Sequence, residues 1–225
     1  PGLAFACALA LTLPDPAQAT PFTIDDFNVA TTSSVTDSSV GSPVSAGSVI
    51  DGANIVMGGA AGWARTLIAD LTAGDGMETV VCGNCQAGHV SMATGSSDGI
   101  GAYTYSGPAV DLSSYSLLVF DWGADLAGAG VDIVASDGAS TATVASWSSL
   151  AATGGSGNLV TQAPAGIIWG AVNPGAITEI QFVVTGVENM DSTIDNFNAA
   201  VPVPTAAWLF GSALLGLAVI RRRQA

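Results

Sequence analysis

The sequence predicts an all-β protein, a β-sandwich or jelly roll, and three observations support this fold class. Short apolar runs rich in β-branched and aromatic residues recur at roughly ten-residue intervals. Glycine, serine, aspartate and asparagine separate nearly all of these runs, as is typical of turns. The central part of the chain shows no convincing helical period. Two packed antiparallel sheets account for all three observations.

The predicted strands follow one another from residue 22 to residue 197. We expect them at 22–27, 63–68, 77–82, 88–94, 101–105, 116–122, 131–136, 141–147, 166–169, 177–185 and 193–197. The run at 116–122 (SLLVFDW) is apolar enough for a central strand buried on both faces. The Ser/Val/Gly-rich segment 33–48 predicts a loop or an edge meander. The glycine-rich segment 151–157 predicts a flexible connection.

The charge of the chain excludes several classes of protein. The 225 residues contain four arginines, no lysine and 18 acidic residues, which gives a formal net charge of −14. Nucleic-acid binding needs clustered basic residues to neutralise phosphates, so we expect no nucleic-acid partner. The lack of lysine excludes Schiff-base chemistry and P-loop phosphate binding. Between residues 20 and 200, Arg65 is the only basic residue beside 17 acidic ones.

Residues 1–19 have the layout of a signal peptide. An apolar run at 2–13 is followed by Pro14-Asp15-Pro16, and then by Ala17 and Ala19 in an A-x-A cleavage pattern. Because residue 1 is proline rather than methionine, we expect the charged start of the leader to precede it. A buried core helix is the alternative. Cleavage after Ala19 leaves a single β-sandwich domain at 20–200, ahead of a tail at 201–225.

The tail combines a proline motif, an apolar stretch and a basic cluster in that order. Its proline motif is Val201, Pro202, Val203 and Pro204, and its terminal cluster is Arg221, Arg222 and Arg223. The apolar stretch between them, about 206–220, predicts one short transmembrane helix of about 22 Å. A hydrocarbon core is about 30 Å thick, so this helix would need help from flanking residues. The arginines favour a cytoplasmic end, which leaves the domain outside.

The segment VPVPTAAWLFGSALLGLAVIRRR resembles the PEP-CTERM sorting signal of exported Gram-negative bacterial proteins. The founding Pro-Glu-Pro is absent, and Val201-Pro202-Val203-Pro204 stands in its place. The resemblance implies processing by an exosortase-type membrane enzyme and delivery to the cell surface or the extracellular matrix. It also implies an association with exopolysaccharide and biofilm. A plain C-terminal membrane anchor is the alternative.

The domain itself resembles galactose-binding-like jelly rolls, a group that includes many carbohydrate-binding modules. The resemblance is carried by Asp25-Asp26-Phe27, by DLSSY at 111–115 and by IDNF at 194–197. Jelly rolls of this kind often join their first and last strands through a hard cation, which carboxylates and carbonyls coordinate. The resemblance therefore implies a structural calcium site, and no other cofactor is expected. The candidate ligands are Asp25, Asp26, Asp191 and Asp195. Solvated turn acids are the alternative.

Two cysteines remain after removal of the leader, Cys82 and Cys85 in a C-x-x-C pattern. In an exported chain this pattern favours a local disulfide. The alternatives are free thiols, a thioredoxin-like role, and a zinc site that includes His89 and a further ligand.

Two residues are candidates for contact with sugars. Trp147, flanked by serines, is the favoured aromatic platform, with core packing as its alternative. Asp121, beside Trp122, is the most glycosidase-like carboxylate. No G-x-S-x-G nucleophile motif is present, and we predict no catalytic residues.

The sequence thus predicts a non-enzymatic, exported protein of the cell surface or matrix. A carbohydrate-binding module with structural calcium is the first alternative. A glycoside hydrolase-like enzyme is the second.

Overall fold

The computed structural model of the chain describes residues 21–27, 34–49, 57–73, 79–86, 89–94 and 98–201. The predicted signal peptide, the sorting motif beyond Val201, the C-terminal helix and the terminal arginines lie outside these residues. Within the described ranges, no helix is long and apolar enough to span a membrane.

The described residues form fourteen strands in two antiparallel sheets, which confirms the predicted all-β sandwich. The strands are β1 Phe22–Asp25, β2 Ser34–Asp37, β3 Val44–Val49, β4 Ala64–Leu71, β5 Thr79–Gln86, β6 His89–Thr94, β7 Gly99–Val110, β8 Leu117–Ala124, β9 Gly130–Ser136, β10 Thr141–Trp147, β11 Gly155–Thr161, β12 Ala165–Gly166, β13 Ile177–Thr185 and β14 Asp191–Ala200. Two 3₁₀ helices lie at Met57–Gly59 and Pro174–Ala176.

One sheet has eight strands and the other has six. The eight-stranded sheet follows the order β11-β8-β14-β6-β5-β2, with β1 paired to β14 and β12 paired to β8. The six-stranded sheet follows β10-β9-β13-β7-β4-β3. The segment 33–48, predicted as a loop or an edge meander, supplies β2 and β3, which lie at the edges of the two sheets.

The core lies between the two sheets and is rich in aromatic side chains. Phe182 of β13 contacts Phe120 of β8 and Phe197 of β14 edge to face, with ring centroids 4.9 and 5.0 Å apart. Such pairs add stability beyond the apolar area that they bury. Strand β8 alternates between core and surface rather than being buried on both faces, so that prediction is wrong. The reason is that β8 belongs to an antiparallel sheet with one outer face accessible to solvent.

The first and last strands pair with each other. Phe22 of β1 lies opposite Ala199 of β14, and Thr23 lies opposite Asn198. The two ends of the described sandwich, residues 21 and 201, therefore leave the domain at the same place.

Asp137 joins two turns at one end of the sandwich. Its Oδ1 atom accepts hydrogen bonds from the backbone N–H groups of Ala139 and Ser140, at 2.8 and 2.7 Å. Its Oδ2 atom accepts from the backbone N–H of Asn173, at 2.7 Å. These backbone donors hold the pKa of Asp137 below its ordinary value.

We predict that Asp137→Asn lowers stability at pH 7 and that its effect disappears in acid. A carboxylate with a lowered pKa contributes stability above its unfolded pKa of about 3.9, and that contribution is lost as the pH falls through the folded pKa. Urea denaturation of the full chain between pH 7 and pH 3 measures the difference. Glu188→Gln, at an exposed acid in a turn, controls for net charge. A constant gap between wild type and Asp137→Asn at every pH would contradict the prediction.

Candidate functional site

Asp25, one of the predicted calcium ligands, lies in the core in contact with Arg65. Arg65 donates from Nη1 to Asp25 Oδ2, and Tyr105 donates its hydroxyl to the same oxygen at 2.9 Å. The backbone N–H of Phe27 donates to Asp25 Oδ1 at 2.8 Å. Both charged side chains are buried, and the guanidinium also lies 5.6 Å from the centre of the Phe27 ring. This buried network joins β1 of one sheet to β4 and β7 of the other.

Burial and the neighbouring charge shift the pKa values of Asp25 and Arg65 in opposite directions. Burial raises the pKa of Asp25, although the adjacent guanidinium lowers it in part. Burial is the largest single influence on the pKa of Arg65 and lowers it, but Asp25 and Tyr105 together raise that pKa above its ordinary value, so the arginine stays charged. Burial also raises the pKa of Tyr105 well above its ordinary value, which keeps the hydroxyl protonated and able to donate. Both carboxylate oxygens of Asp25 therefore accept hydrogen bonds from groups of the protein itself.

The structure does not bring the four predicted calcium ligands together. Asp25 is buried, whereas Asp191 is exposed. Asp191 and Asp195 are four residues apart in β14, about 13 Å along a strand. The described residues contain no group of three or more Asp, Glu, His or Cys side chains that could hold a metal ion. A calcium site stays a prediction.

Asp121, the glycosidase-like candidate, lies opposite Asp195, one of the predicted calcium ligands. Asp121 of β8 and Asp195 of β14 are paired across the strands, and Thr161 of β11 lies opposite Asp121 on its other side. Asp121 and Asp195 are half-buried, while Thr161 and Asn196 are exposed. We call these four residues the carboxylate–amide patch. It lies on the outer face of the eight-stranded sheet, because the neighbouring Phe120, Trp122 and Ile194 face the core.

Hydrogen bonds link all four residues of the patch. Thr161 Oγ1 donates to Asp121 Oδ1 at 2.6 Å. The Asn196 amide donates from Nδ2 to Asp121 Oδ2 at 2.8 Å and to Asp195 Oδ2 at 3.3 Å. The backbone N–H of Asn196 donates to Asp195 Oδ1 at 2.7 Å. Like charges directly opposite each other destabilise a sheet, and the shared amide offsets that repulsion.

Two irregularities in the strands shape the patch. The pairing of β14 with β8 shifts between Asp195 and Asn198, and Asn196 has a φ of 51°. Asparagine tolerates this left-handed conformation better than most residues do, and the kink turns its amide toward both carboxylates. On the other side, β11 shifts register between Gly155 and Val160. This bulge packs so closely on β8 that a Cβ atom at Gly123 would lie 2.3 Å from the Ser156 carbonyl oxygen.

The patch presents acceptors and donors in the combination that sugar hydroxyls require. A sugar hydroxyl donates one hydrogen bond and accepts others, as a serine hydroxyl does. An ionised carboxylate has about four acceptor positions, and the hydrogen bonds from Thr161 and Asn196 use two of those of Asp121. A carboxylate held in place by neighbouring donors also loses less conformational entropy when it binds a ligand.

Trp147 is held by the protein on two sides. Its Nε1–H donates to the carbonyl oxygen of Ala163 at 2.9 Å, and its ring lies edge to face with Phe120, with centroids 4.9 Å apart. The side chain is half-buried against the core. Its role as a sugar platform stays a prediction.

Cys82 and Cys85 both lie in β5, and His89 begins β6. In the backbone register Cys82 lies opposite Ser91, and Gln86 lies opposite His89. Their side chains lie outside what the structure describes, so both the disulfide and the zinc alternative stay predictions.

Sequence reasoning missed Thr161 and Asn196. Thr161 belongs to a Gly/Ser-rich segment without alternation, which carries no strand signal. Asn196 lies within the IDNF motif, where a polar pair interrupts an otherwise alternating strand. That interruption is the one local sign of a bulge.

Comparisons with known proteins give similarities of fold alone. No protein-family model matches the chain, and no match was found among curated proteins. A family 11 carbohydrate-binding module from Clostridium thermocellum, in complex with a β-1,3-1,4-mixed-linked tetrasaccharide, is similar at 13% identity and a TM-score of 0.43, over 80% of this chain and 95% of that one. A family 29 carbohydrate-binding module in complex with mannohexaose is similar at 11% identity and a TM-score of 0.40, over 82% and 96%. A family 43 arabinoxylan arabinofuranohydrolase from Bacillus subtilis is similar at 11% identity and a TM-score of 0.35, over 62% and 39%. At such scores these similarities assign neither a ligand nor an activity to this chain.

Proposed function

We propose that this chain is an exported, non-catalytic protein whose β-sandwich binds carbohydrate through the carboxylate–amide patch. The observation that carries the proposal is the convergence of Asp121, Thr161, Asp195 and Asn196 from three adjacent strands on one solvent-accessible face. Their side chains are held by hydrogen bonds of 2.6 to 3.3 Å, so the patch is ordered before any ligand binds. Side chains on rigid strands are positioned more precisely than side chains on loops.

A binding role fits the patch better than hydrolysis. A glycosidase needs one carboxylic acid that stays protonated near neutral pH, and an apolar pocket usually provides this. Asp121 and Asp195 are both half-exposed and surrounded by hydroxyl and amide donors.

The proposed location follows from the two ends of the sequence. The apolar leader with Ala17 and Ala19 supports export across the inner membrane. The Val201–Pro204 motif, the apolar stretch and Arg221–Arg223 support processing by an exosortase-type enzyme after transient insertion of the tail in the membrane. The mature domain then lies at the surface or in the extracellular matrix of a Gram-negative bacterium, where exopolysaccharide is the available ligand.

The test of the patch is the variant Asp121→Asn. It replaces one of the two acceptor oxygens with an NH₂ donor, so that either Thr161 or Asn196 loses its acceptor, and we expect it to weaken glycan binding about tenfold. Binding of the full chain is measured against cellohexaose, mannohexaose, N-acetylglucosamine and glucosamine oligomers, and polygalacturonate. Asp132→Asn is the matched control, because Asp132 is also a strand aspartate that accepts a hydrogen bond from a hydroxyl, that of Ser146 at 2.5 Å, and it lies on the other sheet.

Three outcomes would contradict the proposal. Binding to none of the glycans leaves the patch without a ligand. Equal weakening by Asp121→Asn and Asp132→Asn places binding elsewhere. Release of reducing ends from a bound glycan, lost in Asp121→Asn, makes the chain a hydrolase instead.

A further inference from the structure

The single basic residue of the predicted domain, Arg65, makes no contribution to the surface. Its relative exposure is 0%, and its guanidinium contacts the carboxylate of the buried Asp25. The sequence between residues 20 and 200 contains no other lysine or arginine. Apart from His89 and a chain terminus, nothing in this domain can present a positive charge to a ligand.

Acidic side chains lie on the surface of both sheets. Twelve of the fourteen acidic residues described by the structure are exposed or half-buried. They include Asp121 and Asp195 on the eight-stranded sheet, Asp132 and Glu179 on the six-stranded sheet, and Asp125 after β8. The acids that the structure describes therefore favour a positively charged ligand over a negatively charged one.

Two exposed acids outside the patch, Asp111 and Asp137, keep their charge in weakly acidic surroundings. Hydrogen bonds from the hydroxyl and backbone N–H of Ser113 hold the pKa of Asp111 below its ordinary value, and backbone donors do the same for Asp137. At pH 6 these carboxylates are ionised, whereas the amino groups of glucosamine polymers are largely protonated. Opposite charges then attract over about 8–10 Å at moderate salt.

Resting on the proposed function, we infer that the ligand of the carboxylate–amide patch is an amino-sugar polysaccharide carrying protonated amines. A uronate, sulfate or phosphate polymer is repelled by the carboxylates of Asp121 and Asp195. A neutral glycan can make the same hydrogen bonds, but it gains no electrostatic attraction to the carboxylates. Each protonated amine adds a charge-assisted hydrogen bond to Asp121 or Asp195 and removes part of their mutual repulsion.

The experiment compares three short ligands of equal length at pH 6. These are triglucosamine, tri-N-acetylglucosamine and trigalacturonate, titrated into the full chain in 20 mM and 300 mM NaCl. We expect triglucosamine to bind about tenfold more tightly than its acetylated form in low salt, and to lose most of that advantage in high salt. Trigalacturonate is expected not to bind. Asp121→Asn should remove most of the preference for the free amine, and Asp132→Asn, which removes the same charge from the other sheet, should retain it.

The outcomes separate this inference from the proposed function. Equal affinity for triglucosamine and its acetylated form overturns the inference and leaves carbohydrate binding at the patch in place. Preference for trigalacturonate overturns the inference as well. Binding to no oligosaccharide overturns the proposed function itself. Equal loss of preference in Asp121→Asn and Asp132→Asn shows a diffuse attraction to the whole surface and overturns the assignment to the patch.

Discussion

Asp25→Ala is expected to lower the free energy of unfolding by about 3–5 kcal/mol, the largest effect that we predict for a single substitution. The change leaves the Arg65 guanidinium in the core without its carboxylate. It also removes the acceptor of the Tyr105 hydroxyl and of the Phe27 backbone N–H. Removing one partner of a buried ion pair costs more than the intact pair contributes, because the remaining charge is no longer compensated.

Chemical denaturation of the full chain measures the effect, and two comparisons define its cause. Asp98→Ala, at an exposed aspartate, is expected to change the free energy of unfolding by less than about 0.5 kcal/mol. The combined variant Asp25→Leu, Arg65→Met and Tyr105→Phe removes the three polar side chains joined by the hydrogen bonds described above, and it should recover more than half of the loss. A loss of under about 1 kcal/mol in Asp25→Ala would show that Arg65 reaches water or another anion.

The fold class could be predicted because it depends on local patterns. The alternation of ITEIQFVVT gave strand 177–185, and β13 has those bounds in the structure. The same reasoning missed β11, since GSGNLVT has almost no apolar alternation and is a strand only because β8 pairs with it. Pairing partners so distant in sequence leave no local sign.

The candidate site could not be predicted from local sequence patterns, for the same physical reason. Asp121 and Asn196 are 75 residues apart in the chain and come within 2.8 Å through the register of β8 and β14. Asp25 and Arg65 are 40 residues apart, and the sequence does not show which of 17 acids the only arginine of the domain contacts. The sequence therefore placed Asp25 and Asp195 in one predicted calcium site and Asp121 apart from them, whereas the structure pairs Asp25 with Arg65 and Asp121 with Asp195.

Gly123→Ala is expected to damage the carboxylate–amide patch without touching any of its side chains. The added methyl group would lie 2.3 Å from the carbonyl oxygen of Ser156 and 3.3 Å from that of Asn158. Both contacts are with backbone, so a side-chain rotation cannot relieve them, and the bulge of β11 must move away from β8. We expect a loss of about 1–3 kcal/mol in the free energy of unfolding, as for other overpacked sites.

The functional consequence follows from what β11 carries. Thr161 ends that strand and donates the 2.6 Å hydrogen bond that orients Asp121. When the bulge moves, Asp121 loses this donor, and glycan binding should weaken by at least as much as in Asp121→Asn. Gly157→Ala is the matched control, because a Cβ atom at Gly157, in the same bulge, meets no atom within 4 Å. If Gly123→Ala binds glycan like wild type while its stability falls, then β11 supports the sheet but does not order the patch, and Thr161 is not part of the site.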